Sequence, residues 1–247
     1  MSSWVEGRLA DPERERKDRD RSRPRLPYAD WSLQRTLIGV LAGLFLGAVV
    51  LPLPVIALDP DLETYAGIIA AQGMLGVAFG ATAVGVAWGG GSWREVLGRL
   101  GIRRFHRRAI GQILLAYLAY VAALGLYALL VGAPEQQDIA RELGLDAGVL
   151  TASASVILIA IVAPISEELF FRGMFFGGLR GRMSFLPAAL ISAAVFGSLH
   201  LPTGSSTVLP LILFGFVLAW VYERSGSLWP AIILHVINNS LALAVAL

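Results

Sequence analysis

Two adjacent glutamates stand inside a long apolar stretch, residues 157–172. A carboxylate at membrane depth costs roughly 2.5–3.5 kcal/mol on insertion scales, so ionisable residues there are functional candidates. Glu168 and Arg172 are spaced i,i+4 on one helical face, which predicts a buried ion pair. Glu167 lies about 140° further round a helix of ~3.6 residues per turn, away from that arginine. Its spare carboxylate is a candidate general base.

Two further motifs place a histidine inside an apolar segment: Phe196-x-x-x-His200 and His235-x-x-x-Asn239. In each motif the i,i+4 spacing presents both side chains on one helical face. Each histidine alone is equally well explained as an interhelical hydrogen-bonding residue, and for Asn239 alone helix packing is the better explanation. Packing alone does not explain why two glutamates, two histidines and an asparagine all lie in apolar segments. We therefore expect these five side chains to converge on one site.

Helix lengths indicate whether these side chains reach the same depth. Glu167 lies 13 residues before Arg180, which is roughly 20 Å of helix. His200 lies 15 residues after Phe185, which is roughly 22 Å. A helical hairpin at residues 181–184 would therefore bring Glu167 and His200 level. The third motif is shallower, so the last helix has to tilt or start deeper.

Composition predicts the class of protein. Of the 247 residues, 56% are hydrophobic and only 15% charged, against about 25% charged in a soluble domain. With no cysteine, the chain has no disulfide, thiolate ligand or cysteine nucleophile. We predict an all-α polytopic membrane bundle of about seven transmembrane helices, with six to eight compatible. The predicted spans are Thr36–Leu58, Tyr65–Trp88, Ala109–Gly132, Ala147–Leu179, Phe185–His200, Thr207–Tyr222 and Trp229–Leu247.

The distribution of charge predicts the domains and the orientation. Residues 1–35 hold nine basic and seven acidic side chains, which is typical of a disordered cytoplasmic tail. Residues 36–146 would form the N-terminal transmembrane helices and residues 147–247 the catalytic region. Six arginines in the connection at 89–108 place that loop and the N-terminus in the cytoplasm. We expect an integral protein of the bacterial plasma membrane, with lipids and a protein or peptide substrate as partners and no nucleic acid.

The three motifs, in this order and in a membrane context, resemble the CPBP family. This family comprises CAAX proteases and bacteriocin-processing enzymes, is also called Abi, and includes the type II CAAX prenyl endopeptidases. The resemblance covers about residues 147–247 and implies an intramembrane endopeptidase. It implies that Glu167 and His200 activate a water, that His235 and Asn239 bind the oxyanion, and that the Glu168–Arg172 pair completes the site.

Metal dependence is open at this stage. The family is often labelled as metalloproteases, and Glu167, His200 and His235 could hold Zn²⁺ with an open position. No His-Glu-x-x-His pair occurs in the sequence, and a metal-free mechanism is equally compatible with these residues.

Two other functions are compatible with the same residues. One is a non-proteolytic scaffold or immunity protein that keeps the polar groups for folding. The other is a proton-coupled transporter with Glu167 and His200 as a relay. All the intramembrane charges lie after residue 160, whereas a transporter more often shows repeats in both halves. This asymmetry favours the enzyme. The resemblance implies that its substrates are membrane-associated or lipidated proteins or peptides.

Overall fold

The computed structural model describes residues 29–60, 64–132, 144 and 146–246. All regular structure in these ranges is helical, which confirms the all-α prediction. Five helices are long and apolar enough to cross a membrane and two shorter ones are apolar, so each predicted span corresponds to one helix. The helices are α1 Leu33–Leu58, α2 Tyr65–Ala87, α3 Trp93–Arg99, α4 Arg108–Val131, α5 Val149–Arg180, α6 Phe185–Ser198, α7 Ser205–Ser225 and α8 Trp229–Ala246.

Two details differ from the predicted organisation. Helix α1 begins at Leu33, inside the segment predicted as tail, because Ser32 caps it by accepting a hydrogen bond from the Arg35 N–H. The rest of the predicted tail, residues 1–28, lies outside the described residues. Helix α3 was not predicted; it begins with a capping box between Ser92 and Glu95.

Helix α5 carries the two glutamates and is the longest, at 32 residues. Its length of about 48 Å exceeds the ~30 Å hydrocarbon layer, and the sequence predicted a tilt or a kink at Pro164. The helix continues through the proline, with wide π-helical turns at Leu158–Val162 and Leu169–Phe176. A π-turn accommodates the backbone groups that a proline leaves unpaired.

The bundle packs around the second half of α5. Phe170, Phe171 and Met174 there are almost fully buried. Glycines bring the neighbouring helices close, since a side chain at Gly43 of α1 would collide with the Phe170 ring. Close approach through small residues is how helices associate in lipid, where apolar burial alone gives no driving force. The glutamates of α5 therefore lie on the helix with the most protein neighbours.

The orientation can be tested at the turn between α5 and α6. Gly181 is exposed there, while Ala147 is exposed just before the opposite end of α5. Because the positive-inside rule puts the arginine-rich end in the cytoplasm, we expect Gly181→Cys to resist a membrane-impermeant thiol reagent in intact cells. Ala147→Cys should react. The chain has no native cysteine to interfere, and the opposite labelling pattern would invert the orientation.

Candidate active site

Glu168 lies at the centre of a buried polar cluster. Its side chain is fully buried, and its Oε1 accepts a hydrogen bond from Arg172 Nη1 at 2.9 Å. The same Oε1 lies 2.9 Å from His235 Nδ1. The ion pair predicted from the i,i+4 spacing is therefore present, but it is part of a larger cluster that joins α5 to α8.

Arg172 is also fully buried and has neighbours on three elements. Its Nη2 donates to the carbonyl of Gly215 in α7 at 3.2 Å. Its guanidinium carbon lies 4.4 Å from the ring centroid of Phe196 in α6, within cation–π range. Arg172 therefore ties α5 to both α6 and α7, and neutralises the charge of Glu168 away from water.

His235 lies between the two glutamates. Because Glu168 is ion-paired with Arg172, its carboxylate can only accept, so the Nδ1 of His235 donates to it. The other ring nitrogen, Nε2, is 3.7 Å from Glu167 Oε2. The rings of Phe196 and Phe214 stand edge-on to the imidazole, at 5.9 and 5.3 Å. These contacts fix the ring with Nε2 directed towards Glu167.

The two adjacent glutamates have different environments. Glu168 is 0% exposed, whereas the side chain of Glu167 is 19% exposed. Within the described ranges Glu167 makes no hydrogen bond, and its recorded ion-pair neighbour is His235. Of the two carboxylates, only Glu167 is accessible to water or a substrate.

Asn239 contacts the backbone of α5. In the π-turn the N–H of Ala163 donates to the carbonyl of Leu158, five residues earlier. By the same pattern the carbonyl of Ile159 would accept from residue 164, which is a proline without N–H. The amide Nδ2 of Asn239 donates to that carbonyl instead, at 3.0 Å. Pro164 thus creates the acceptor that positions Asn239.

His200 lies beyond the end of its helix, which corrects the prediction that the second motif sits on one helical face. Helix α6 ends at Ser198, because Pro202 lacks the N–H that would bond the Ser198 carbonyl. His200 follows in a turn, with its Nδ1 3.0 Å from the Phe196 carbonyl. Its ring lies 5.1 Å from the Phe196 ring, which also contacts His235. Phe196 therefore packs against both histidines.

The predicted zinc ligands were Glu167, His200 and His235. Among the described residues, no three or more histidine, aspartate or glutamate side chains are grouped so that they could hold a metal ion. Zinc binding by these three side chains stays a prediction, and we derive no chemical step through a metal.

Sequence reasoning missed the neighbours that hold the polar groups in place. Phe214 and the carbonyls of Ile159 and Gly215 contact the site, yet all three residues look like ordinary members of apolar helices. One of these contacts could have been anticipated from the sequence, because Pro164 has no N–H and so leaves a carbonyl of its own helix without a donor.

Comparison with known proteins supports a membrane protease. Residues 149–241 match the model of the type II CAAX prenyl endopeptidase Rce1-like family. The chain is 35% identical over 85 residues to the "Putative membrane peptidase YdiL" of Bacillus subtilis (strain 168), which covers 34% of each chain. It is 34% identical over 79 residues to the "UPF0177 protein YxdF" of Lactococcus lactis subsp. lactis (strain IL1403), covering 32% of this chain and 42% of that protein.

The family match covers the segment with the three motifs. The chain spans about a third to two fifths of the length of these curated relatives. No solved structure matches it significantly. The matched segment contains both glutamates, Arg172 and the two motif histidines. Residues 149–241 of this integral membrane protein are therefore similar to the Rce1-like type II CAAX prenyl endopeptidases, which is the resemblance that the three motifs predicted.

Proposed function

We propose that the protein is an intramembrane endopeptidase that hydrolyses membrane-associated or lipidated proteins or peptides with a water activated by Glu167. The observation that carries this proposal is the contrast between the two adjacent carboxylates. Glu168 is buried against Arg172 and His235, whereas Glu167 is partly exposed and makes no hydrogen bond in the described ranges. An accessible carboxylate beside fixed hydrogen-bond donors is what water activation requires.

The proposed reaction begins with a water beside Glu167. Glu167 takes one proton from the water, and the oxygen bonds to the peptide carbonyl carbon while the π electrons move to the carbonyl oxygen. The C–N bond then breaks, and the proton held by Glu167 passes to the leaving nitrogen. His200 is assigned to the water together with Glu167, on the strength of the family resemblance. One water is consumed, and a carboxylic acid and an amine are formed, with the second water proton on the new acid until it passes to the amine.

His235 and Asn239 are assigned to the negatively charged oxygen of the intermediate. The amide of Asn239 has two N–H donors, and the bond to the Ile159 carbonyl uses one of them. The other remains for the oxyanion, on a side chain that is already oriented. Donors held in place before the reaction stabilise developing charge without reorganising during it. Nε2 of His235 takes the same role when the ring is protonated, because Nδ1 already donates to Glu168 and both ring nitrogens carry a hydrogen only in the imidazolium.

The oxyanion assignment predicts a large effect at Asn239. Asn239→Ala should lower kcat/KM roughly 10²–10³-fold, the usual loss for one oxyanion donor. Asn238→Ala is the matched control. Asn238 carries the same amide one residue earlier, and its Nδ2 donates only a long hydrogen bond of 3.4 Å to Asn239 Oδ1. Turnover by Asn239→Ala equal to that of the control would remove Asn239 from the mechanism.

Chelation separates the metal-free reaction from a zinc reaction. With water activated by Glu167 and His200 without a metal, we expect a chelator to leave cleavage intact. If His200 and His235 instead hold an essential zinc ion, chelation should abolish cleavage and added zinc should restore it. Zinc bound in stoichiometric amount to the active protein and lost in parallel with activity would overturn the metal-free proposal.

The function itself is tested with purified protein in detergent and a library of peptides, including lipidated ones. Mass spectrometry should find new internal termini with the wild type and none with Glu167→Ala. A folded wild-type protein that cleaves nothing in such a library would favour the scaffold. Identical products from both proteins would point to a contaminating protease.

A further inference from the structure

The connection between α2 and α4 carries the densest positive charge in the chain. Residues 89–108 contain six arginines and one glutamate. That glutamate, Glu95, is occupied by the capping box, where its Oε2 accepts from the Ser92 N–H at 2.9 Å. The positive charge of this connection is therefore not neutralised from within.

Four of these arginines combine an exposed position with a side chain that has no hydrogen-bond or ion-pair partner within the described ranges. The other two are in use: Arg99 donates to the Ala87 carbonyl and Arg103 to the Gly98 carbonyl. We call the four free side chains the basic patch; they are Arg94, Arg104, Arg107 and Arg108. They follow a membrane-crossing helix and precede another, so the basic patch lies at a membrane surface.

The short helix α3 beside the basic patch has an exposed apolar face. Val96 and Leu100 are buried against the protein, while Trp93 is 61% exposed and Leu97 is 38% exposed on another face. Trp93 stands edge-on to Trp88, with ring centroids 5.1 Å apart. Tryptophans at this level are typical of the boundary between lipid tails and headgroups. Exposed apolar side chains beside free arginines match the chemistry of an anionic lipid.

The loop between α3 and α4 is hydrogen-bonded to the segment before α8 and packs against α5. The carbonyl of Gly101 accepts from the Leu228 N–H at 2.8 Å. The carbonyl of Arg103 accepts from Ser227 Oγ at 2.7 Å. Ser227 and Leu228 directly precede α8, the helix of His235 and Asn239. The same loop packs on α5, since a side chain at Gly173 would lie 2.9 Å from the Leu100 carbonyl.

We propose that the basic patch binds the phosphate headgroups of anionic phospholipids in the surrounding bilayer, and that this binding stabilises the loop on which α8 begins. The acidic residues of the N-terminal segment are a poor alternative partner, because they are interleaved with a larger number of basic residues. Each juxtamembrane arginine multiplies the affinity for an anionic surface by about five. A ligand that binds only the folded protein raises its unfolding temperature.

The experiment titrates phosphatidylglycerol into the full-length protein in neutral detergent micelles and follows the thermal unfolding midpoint. We expect the midpoint to rise with phosphatidylglycerol and not with phosphatidylcholine. In Arg104→Gln/Arg107→Gln/Arg108→Gln the concentration for half the effect should rise about a hundredfold. The matched control is Arg182→Gln, which removes another exposed arginine at the same end of the bundle and should raise that concentration at most about fivefold.

Each other outcome would overturn the proposal. A midpoint that does not respond to phosphatidylglycerol, or an equal response from the triple variant, excludes the basic patch as the binding site. An equal rise with glycerol phosphate indicates a site for free phosphate esters, and a rise with polyglutamate alone indicates an acidic protein. If the triple glutamine variant does not fold, Arg104→Lys/Arg107→Lys/Arg108→Lys keeps the charge, and a lost response there contradicts a charge-based site.

Discussion

Glu167→Gln should lower kcat for peptide cleavage by about 10²–10⁴-fold, the usual contribution of a general base. Glutamine keeps the shape of the side chain but cannot take a proton from water. Because Glu167 is partly exposed and contacts His235 only at 3.7 Å, the thermal unfolding midpoint should stay at the wild-type value. Initial rates with a cleaved peptide and an unfolding curve on the same sample measure both quantities.

The control for Glu167→Gln is Glu223→Gln. Glu223 is also a partly exposed glutamate of the bundle, but it pairs with Arg180 at 3.0 Å, at the end of α5 away from the site. Its substitution should leave turnover unchanged. Near wild-type turnover by a folded Glu167→Gln protein would show that Glu167 is not the general base.

Glu168→Ala and Arg172→Ala should each destabilise the protein by about 3–5 kcal/mol, because either change leaves the other charge buried and unpaired. Both side chains are fully buried and lie 2.9 Å apart. Activity should fall in parallel, since Glu168 also holds the ring of His235. Unfolding in detergent, followed for both single variants and the double variant, measures the effect.

The double variant separates the loss of the ion pair from the loss of side-chain packing. Glu168→Ala/Arg172→Ala removes both charges at once, so it should be more stable than either single variant. Wild-type unfolding of both single variants would show that the pair does not contribute to stability. Strictly additive losses would show that the two residues act independently.

Local spacing predicted what lies within one helix. The Glu168–Arg172 pair follows from i,i+4 geometry alone, and the spans follow from apolar runs long enough to cross a bilayer. Contacts between helices were harder to predict from the sequence, because they depend on which helix faces pack against each other. The bond between His235 and Glu168 links residues 67 apart in sequence, and spacing within each motif does not determine it. The structure places His235 beside Glu167, and the pairing of Glu167 with His200 stays a prediction.

Two prolines explain where the structure departs from regular helices. Pro202 ends α6 before His200, a signal that the i,i+4 reading of Phe196 and His200 passed over. The tilt of α5 or its kink at Pro164 stays a prediction, while the π-turn before the proline leaves the Ile159 carbonyl for Asn239. The ion pair within α5 could thus be predicted from sequence, while the backbone that orients the other polar side chains could not.

The two neighbouring glutamates have different roles in the proposed mechanism, and one paired measurement tests this difference most directly. Turnover and thermal unfolding midpoint are determined for Glu167→Gln and Glu168→Gln in the same detergent and with the same peptide. We predict that Glu167→Gln loses turnover and keeps the wild-type midpoint, whereas Glu168→Gln lowers the midpoint because Arg172 loses its charge partner. A Glu167→Gln protein that unfolds early but still cleaves, beside a stable and inactive Glu168→Gln protein, would contradict the account.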